Sequence, residues 1–149
     1  FSFVYRTPHM NPEYFHTIFL VSSKPKKWPN QFAIITAYNP MDQPLSPAVN
    51  KAKTEKLWRS LGNRAFLSIN GCSLDLKHQE KGLGFLGSLA EAEKIGAEFN
   101  QRAIYYISNG NLDLIDCNTS ECFNLGKFED RVYTKQQLAK KGPSSDHDQ

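Results

Sequence analysis

Phe32 to Tyr38, FAIITAY, is a run of apolar and β-branched residues that stops abruptly at Asn39-Pro40. With almost no polar alternation, such a run needs cover on at least one face and suits a central strand. The stop has a physical cause. Proline brings no N–H to a ladder, and it restricts the backbone of the residue before it.

The segment beyond the stop is equally legible. Ser46-Pro47 opens a helix, with serine as the cap and proline's fixed φ suited to the first helical position. Val49, Ala52, Leu57 and Leu61 predict its apolar face, and Gly62 closes it. A second helix starts at Ser88, three residues before Glu91, which is capping-box spacing. Leu89, Ala92, Ile95 and Phe99 predict its buried stripe. Gly96 inside that helix costs roughly 1 kcal/mol against alanine, which points to a close approach of helix to sheet.

Around these helices lie further β-rich runs: His16 to Ser22, Ala65 to Gly71, Glu80 to Leu86, Ala103 to Ile107 and Leu112 to Asp116. Asn109-Gly110 joins the last two and is a strong hairpin signal, because both turn positions favour φ > 0. Asn11 to Phe15 reads as a short helical turn and Ser23 to Asn30, with its two prolines, as a loop.

The order is β, β, α, β, β, α, β, β, which predicts an α+β fold. A mostly antiparallel sheet carries two helices on one face, around a split-βαβ (ferredoxin-like) core with extra strands. Residues 11–117 form the expected core domain. Residues 118–149 read as a C-terminal extension, with a terminal helix over Arg131 to Lys140 and disorder from Gly142. The first nine residues read as lying outside the domain.

The 149 residues suffice for one domain with its own core, so neither metal nor disulfide is needed for stability. The longest apolar runs fall far short of the roughly 20 residues of a membrane span. Phe1 to Val21 lacks the pattern of a secretory signal, and three cysteines make no disulfide framework, so a cytoplasmic protein is expected. A net charge of +3 is too mild to demand nucleic acid as a partner.

Several motifs dissolve on inspection. Gly82, Gly84 and Gly87 spell G-x-G-x-x-G, but they fall within a presumed strand rather than in the turn after one, so no dinucleotide cofactor is expected. Cys117 and Cys122 stand too far apart for the tighter zinc pairs, and nothing places His78 or Cys72 beside them, so no metal is expected. No nucleophile elbow is present, and His9, His16, His78 and His147 are scattered.

Two groups of residues remain. Lys24, Lys26, Lys27 and Trp28, with Lys51, Lys53, Lys56 and Arg59 on the first helix, combine charge with an aromatic, as a nucleic-acid surface would. Thr36, Asn39, Ser46 and Asn50 surround the passage from the FAIITAY strand into the first helix, whose free N–H groups suit an anion. Glu80 and Gln101 are placed to converge on the same end of the sheet. Each also has a structural reading, with Asn39 as a turn residue and Ser46 as a cap.

Thr36-Ala37-Tyr38-Asn39-Pro40, then Ser46 and Asn50, Glu80, and Gly96 to Ile104 with Phe99, Gln101 and Ala103 carry a resemblance. In order and spacing they resemble the bacterial domain-of-unknown-function family 3293, over roughly Tyr14 to Cys117. The resemblance implies that Thr36, Asn39, Asn50, Glu80 and Gln101 are typical polar positions of that family, and it supplies no activity. The leading expectation is a non-enzymatic module that binds a small polar or anionic ligand, or a partner, at the Thr36–Asn50 end. An enzyme using Glu80 as acid or base, with Asn39 and Gln101 orienting substrate, and a nucleic-acid-binding domain are the alternatives.

Overall fold

A computed structural model describes residues 12–38 and 44–141, the last two by their backbone alone. Eight strands form one sheet: β1 (Ile18–Val21), β2 (Gln31–Ile35), β3 (Ala65–Cys72), β4 (Gln79–Phe85), β5 (Ala103–Ser108), β6 (Asn111–Asp116), β7 (Cys122–Lys127) and β8 (Val132–Thr134). Their spatial order is β7-β6-β5-β2-β4-β3-β1-β8. β1 and β8 run parallel, and every other neighbouring pair is antiparallel. The FAIITAY run is central, as its composition demands, with β4 and β5 on its two sides.

Helices α1 (Pro47–Leu61) and α2 (Leu89–Glu98) start and stop where their caps require. The Ser46 hydroxyl accepts from Val49 N, and the Gly62 N–H reaches Trp58 O. Ser88 and Glu91 form both halves of the capping box. A short α3 (Lys135–Lys141) comes after β8. Leu57, Leu61, Ala92 and Ile95 pack on Ala33, Ile35, Leu83, Phe85, Ile104 and Tyr106, so α1 and α2 cover the same face of the sheet. Gly96 makes the close approach its position implied, with Cys117 and Ile104 directly against it.

The opposite face is closed by the sheet itself. Phe19, Phe32, Ile34, Ile69, Tyr105, Leu112, Leu114, Phe128 and Val132 share one core, drawn from both ends of the strand order. Phe15, just before β1, packs edge-on against Phe123 of β7, with ring centroids 5.2 Å apart. Contact between elements from opposite ends of an eight-stranded order requires the sheet to curl. Arg131 ties the curl by donating to Phe15 O (2.8 Å), Thr17 O (3.2 Å) and Leu125 O (3.3 Å).

Four expectations change. β2 ends at Ile35, so Thr36 to Tyr38 leave the ladder. Val49 is 44% exposed and Ala52 is exposed too, while Asn50 turns inward with Leu57 and Leu61. The Asn50 amide donates to Leu45 O at 3.3 Å, which ties the residues before the cap to the first turn of the helix. The chain after Cys117, expected as an extension, supplies β7 and β8 and buries Phe128 in the core. Val132–Thr134 is extended beside β1 because Val132 fills that core, and only Lys135–Lys141 of the expected terminal helix is helical. The stretches 1–9 and 142–149 lie outside the described residues.

Candidate functional site

The end of β2 is a corner fixed by buried polar side chains. The Thr36 hydroxyl donates to Lys81 O of β4 at 2.5 Å and accepts from Tyr38 N at 3.1 Å. That second bond folds the chain out of the ladder, a local alternative that threonine offers a backbone. On the other side, Gln101 Nε2 donates to Tyr38 O at 3.2 Å and to Phe99 O at 3.3 Å. Both side chains have no exposed surface. The Gln101 N–H bonds Gly96 O, so the residue is also locked to the exit of α2. Thr36 and Gln101 thus meet at one peptide segment.

The other members lie around that corner in different ways. Asn39, on which part of the expectation fell, lies outside the described residues. Ser46 caps α1, with Oγ 3.2 Å from Val49 N, and Asn50 is buried one turn further on. Glu80 stands at the same end of the sheet, on the face away from α1 and α2. It lies opposite Gly71 in β3 and two positions from Gly82, which faces the Ile69 side of the sheet. Its charge bears on Tyr105 on that face. Thr36 bonds the carbonyl of Lys81, the residue after Glu80 in β4, so Glu80 adjoins the corner along the strand.

Glu80 belongs with residues that the sequence did not single out. Tyr105, fully buried, donates its hydroxyl toward Thr17 Oγ1 (2.7 Å) and Tyr14 O (3.1 Å). Burial drives its ionisation far above the ordinary tyrosine range. Tyr105 was hidden in a strand that reads as pure core, AIYYIS, where nothing marks a hydroxyl with a partner 88 positions away.

The basic residues divide between the two layers. Trp28 stacks on Phe32 (centroids 5.6 Å, planes 12° apart) and meets Phe128 edge-on at 4.9 Å, so it belongs to the core closed by the curl. Lys24, Lys26 and Lys27 stand exposed in the same loop. Lys51, Lys53, Lys56 and Arg59 ride on α1, across the sheet from Trp28. They form no continuous surface with the loop.

Gly82 and Gly84 lie within β4, and a β-carbon on Gly84 would meet the Phe66 ring at 3.2 Å. These glycines serve packing between strands rather than a phosphate turn. Burial pushes the Cys72 thiol up to about 12 and the Cys117 thiol to about 11. Among the described residues no three His, Cys, Asp or Glu side chains gather as a metal site would need. No helix among them is long and apolar enough to cross a membrane.

An α+β domain built on a curled, mixed eight-stranded sheet with a braced corner at β2 is thus the class of protein at hand. A family model described as "Protein of unknown function (DUF3293)" matches residues 35–104, which run from the end of β2 through α1, β3, β4 and α2 into β5. The matched family is the one that the motifs of this stretch resemble. Comparison with curated proteins and with solved structures gives no match.

Proposed function

We propose that the domain is a non-enzymatic module that binds a small polar or anionic ligand, or a partner, where β2 passes into α1. The observation that carries this reading is the double anchoring of the 36–38 corner by Thr36 and Gln101, both without exposed surface. Apolar residues would fill that space at no desolvation cost, whereas a buried amide must be matched by hydrogen bonds. Fixing the root of a surface connection in this way serves a loop whose tip must be presented in one place. In this reading Thr36 and Gln101 position the loop. Ser46 and Asn50, beside the first turn of α1, stand at the ligand, and Asn39 is a further candidate by its place in the sequence alone.

Finer aspects belong to the same reading. The strand order β5-β2-β4-β3 with antiparallel neighbours, and with α1 and α2 as the two crossovers, supports a split-βαβ, ferredoxin-like centre. Three free thiols support a reducing, cytoplasmic setting in a bacterial protein.

The test is a thermal-shift panel of inorganic phosphate, dicarboxylates and nucleotides on the wild type, Asn39→Ala and Gln101→Ala. One ligand class should raise the wild-type Tm and leave Asn39→Ala unmoved, while that variant melts normally in buffer. If nothing shifts the wild type, or if Asn39→Ala responds equally to everything that does, the corner is a brace and the reading falls.

A further inference from the structure

At the opposite end of β2, five extended residues or roughly 17 Å away, the structure opens into a cleft of about 620 Å³. That volume lies within the range of small-molecule sites. Trp28 supplies most of its apolar wall, with Ile107 and Phe128 almost wholly buried behind it, and Lys26, Lys27 and Lys127 its positive charge. Asn30, Asn109 and Asn111 line it with amides, and Glu129 and Asp130 with carboxylates.

The cleft is fixed in shape. Asn109 N donates to Asn30 O at 2.7 Å and Phe128 N to Gly110 O at 2.9 Å, so the three segments around it are joined by main chain. Trp28 is held by Phe32 and Phe128 and does not need to be ordered by a ligand. In contrast, the polar side chains of the cleft are uncommitted. Among the described residues, none of the three lysines or two carboxylates is in an ion pair. The three asparagine amides likewise hold no protein hydrogen bond there.

This combination selects among ligands. One face of Trp28 is taken by Phe32; where the rest of the half-buried indole borders the cleft it suits a π-ring, since every nucleobase offers a face for stacking. Three ammonium groups suit phosphate oxygens. The two carboxylates repel a bare polyanion but accept hydrogen bonds from hydroxyls, as acidic side chains do with a ribose. We infer that the Trp28–Lys127 cleft is a nucleotide-binding site, separate from the corner at Thr36. The base lies on Trp28, the ribose hydroxyls face Glu129 and Asp130, and the phosphates face Lys26, Lys27 and Lys127. A free nucleotide and the end of a single strand offer the same chemistry.

Trp28 also supplies the measurement, because Trp58, the other tryptophan, is on α1 and can be replaced by Phe. In the Trp58→Phe protein, emission is monitored while ADP, adenosine, pyrophosphate or a short oligoadenylate is added. ADP should quench saturably and more tightly than adenosine or pyrophosphate. Lys26→Gln with Lys127→Gln should raise its Kd about tenfold or more at unchanged Tm. Oligoadenylate competing with ADP at lower concentration would assign the site to a strand end, and weaker competition to a free nucleotide. No saturable quenching by ADP, pyrophosphate binding as well as ADP, or a Kd indifferent to the lysine variants each overturns the proposal. Asn39→Ala must leave this Kd unchanged, so the cleft and the corner stand or fall separately.

Discussion

Gly96 in α2 lies so close to Cys117 that a β-carbon built on it would be 3.0 Å from the sulfur, with Ile104 Cγ2 at 3.1 Å on the other side. Ile104 lies in β5 and Cys117 N is bonded to Arg102 O just past β6, so both neighbours yield only by shifting main chain or a packed side chain. Gly96→Ala should therefore destabilise by about 1–3 kcal/mol even though alanine is the better helix former by about 1 kcal/mol. Urea unfolding measures the difference. Adding Cys117→Ala should return part of the loss by making room, and a stabilised Gly96→Ala would show that the helix rides higher than described.

Removing the corner's hydrogen bonds separately shows what each supports. Thr36→Val keeps the shape and leaves Lys81 O and Tyr38 N without the hydroxyl, and Gln101→Leu does the same to Tyr38 O and Phe99 O. Each should cost about 1–3 kcal/mol, a fall in Tm of about 3–10 °C. Because both variants act on the 36–38 segment, their effects should be non-additive, which a double-mutant cycle reads directly.

Phe128 is the residue by which the end of the described chain enters the core, touching Phe19, Trp28 and Phe32. Phe128→Ala should cost about 3–5 kcal/mol. A chain stopped after Cys117 should show no cooperative melting transition by calorimetry, since it lacks Phe128, Val132 and the Arg131 tie together.

Alkaline pH should weaken the fold through its buried thiols. Cys72 ionises at about 12 when folded against 9.0 ordinarily, because burial disfavours the thiolate. Between those values the unfolded chain has lost a proton that the folded chain keeps. The stability tied to this thiol is thus complete below pH 9 and declines as the pH climbs toward 12. Buried Tyr105 acts in the same direction. Cys72→Val should lose less stability than wild type between about pH 8 and pH 11. At neutral pH an aromatic disulfide reagent should modify exposed Cys122 first and Cys72 only on unfolding.

Much of this architecture is legible in local chemistry. Ser46, Pro47 and Gly62 bound α1, Ser88 and Glu91 start α2, and Asn109-Gly110 turns β5 into β6 with φ of 50° and 83°. These signals need only neighbours in the chain. What eluded the sequence depends on distant partners. β7 and β8 lie at the two edges of the sheet, and α1 turns Leu57 and Leu61 rather than Val49 and Ala52 onto the strands. For the same reason Thr36 and Gln101 are readable as polar positions, but their meeting at Tyr38 is not. Trp28 and Lys127 border one cleft because β2, β5, β6 and β7, in part far apart along the chain, are successive strands of the sheet.

The parallel pairing of β1 with β8, Phe19 opposite Val132, joins segments made at nearly opposite ends of the described chain. On the ribosome, β1 must wait through the synthesis of every other strand before its outer edge is covered. Contacts of such sequence separation form slowly, and an unpaired edge recruits other chains in the meantime. A stalled or prematurely terminated polypeptide therefore presents β1 as a sticky ribbon. Translation errors in this protein should be cleared as aggregates or chaperone clients rather than persist as a shorter domain.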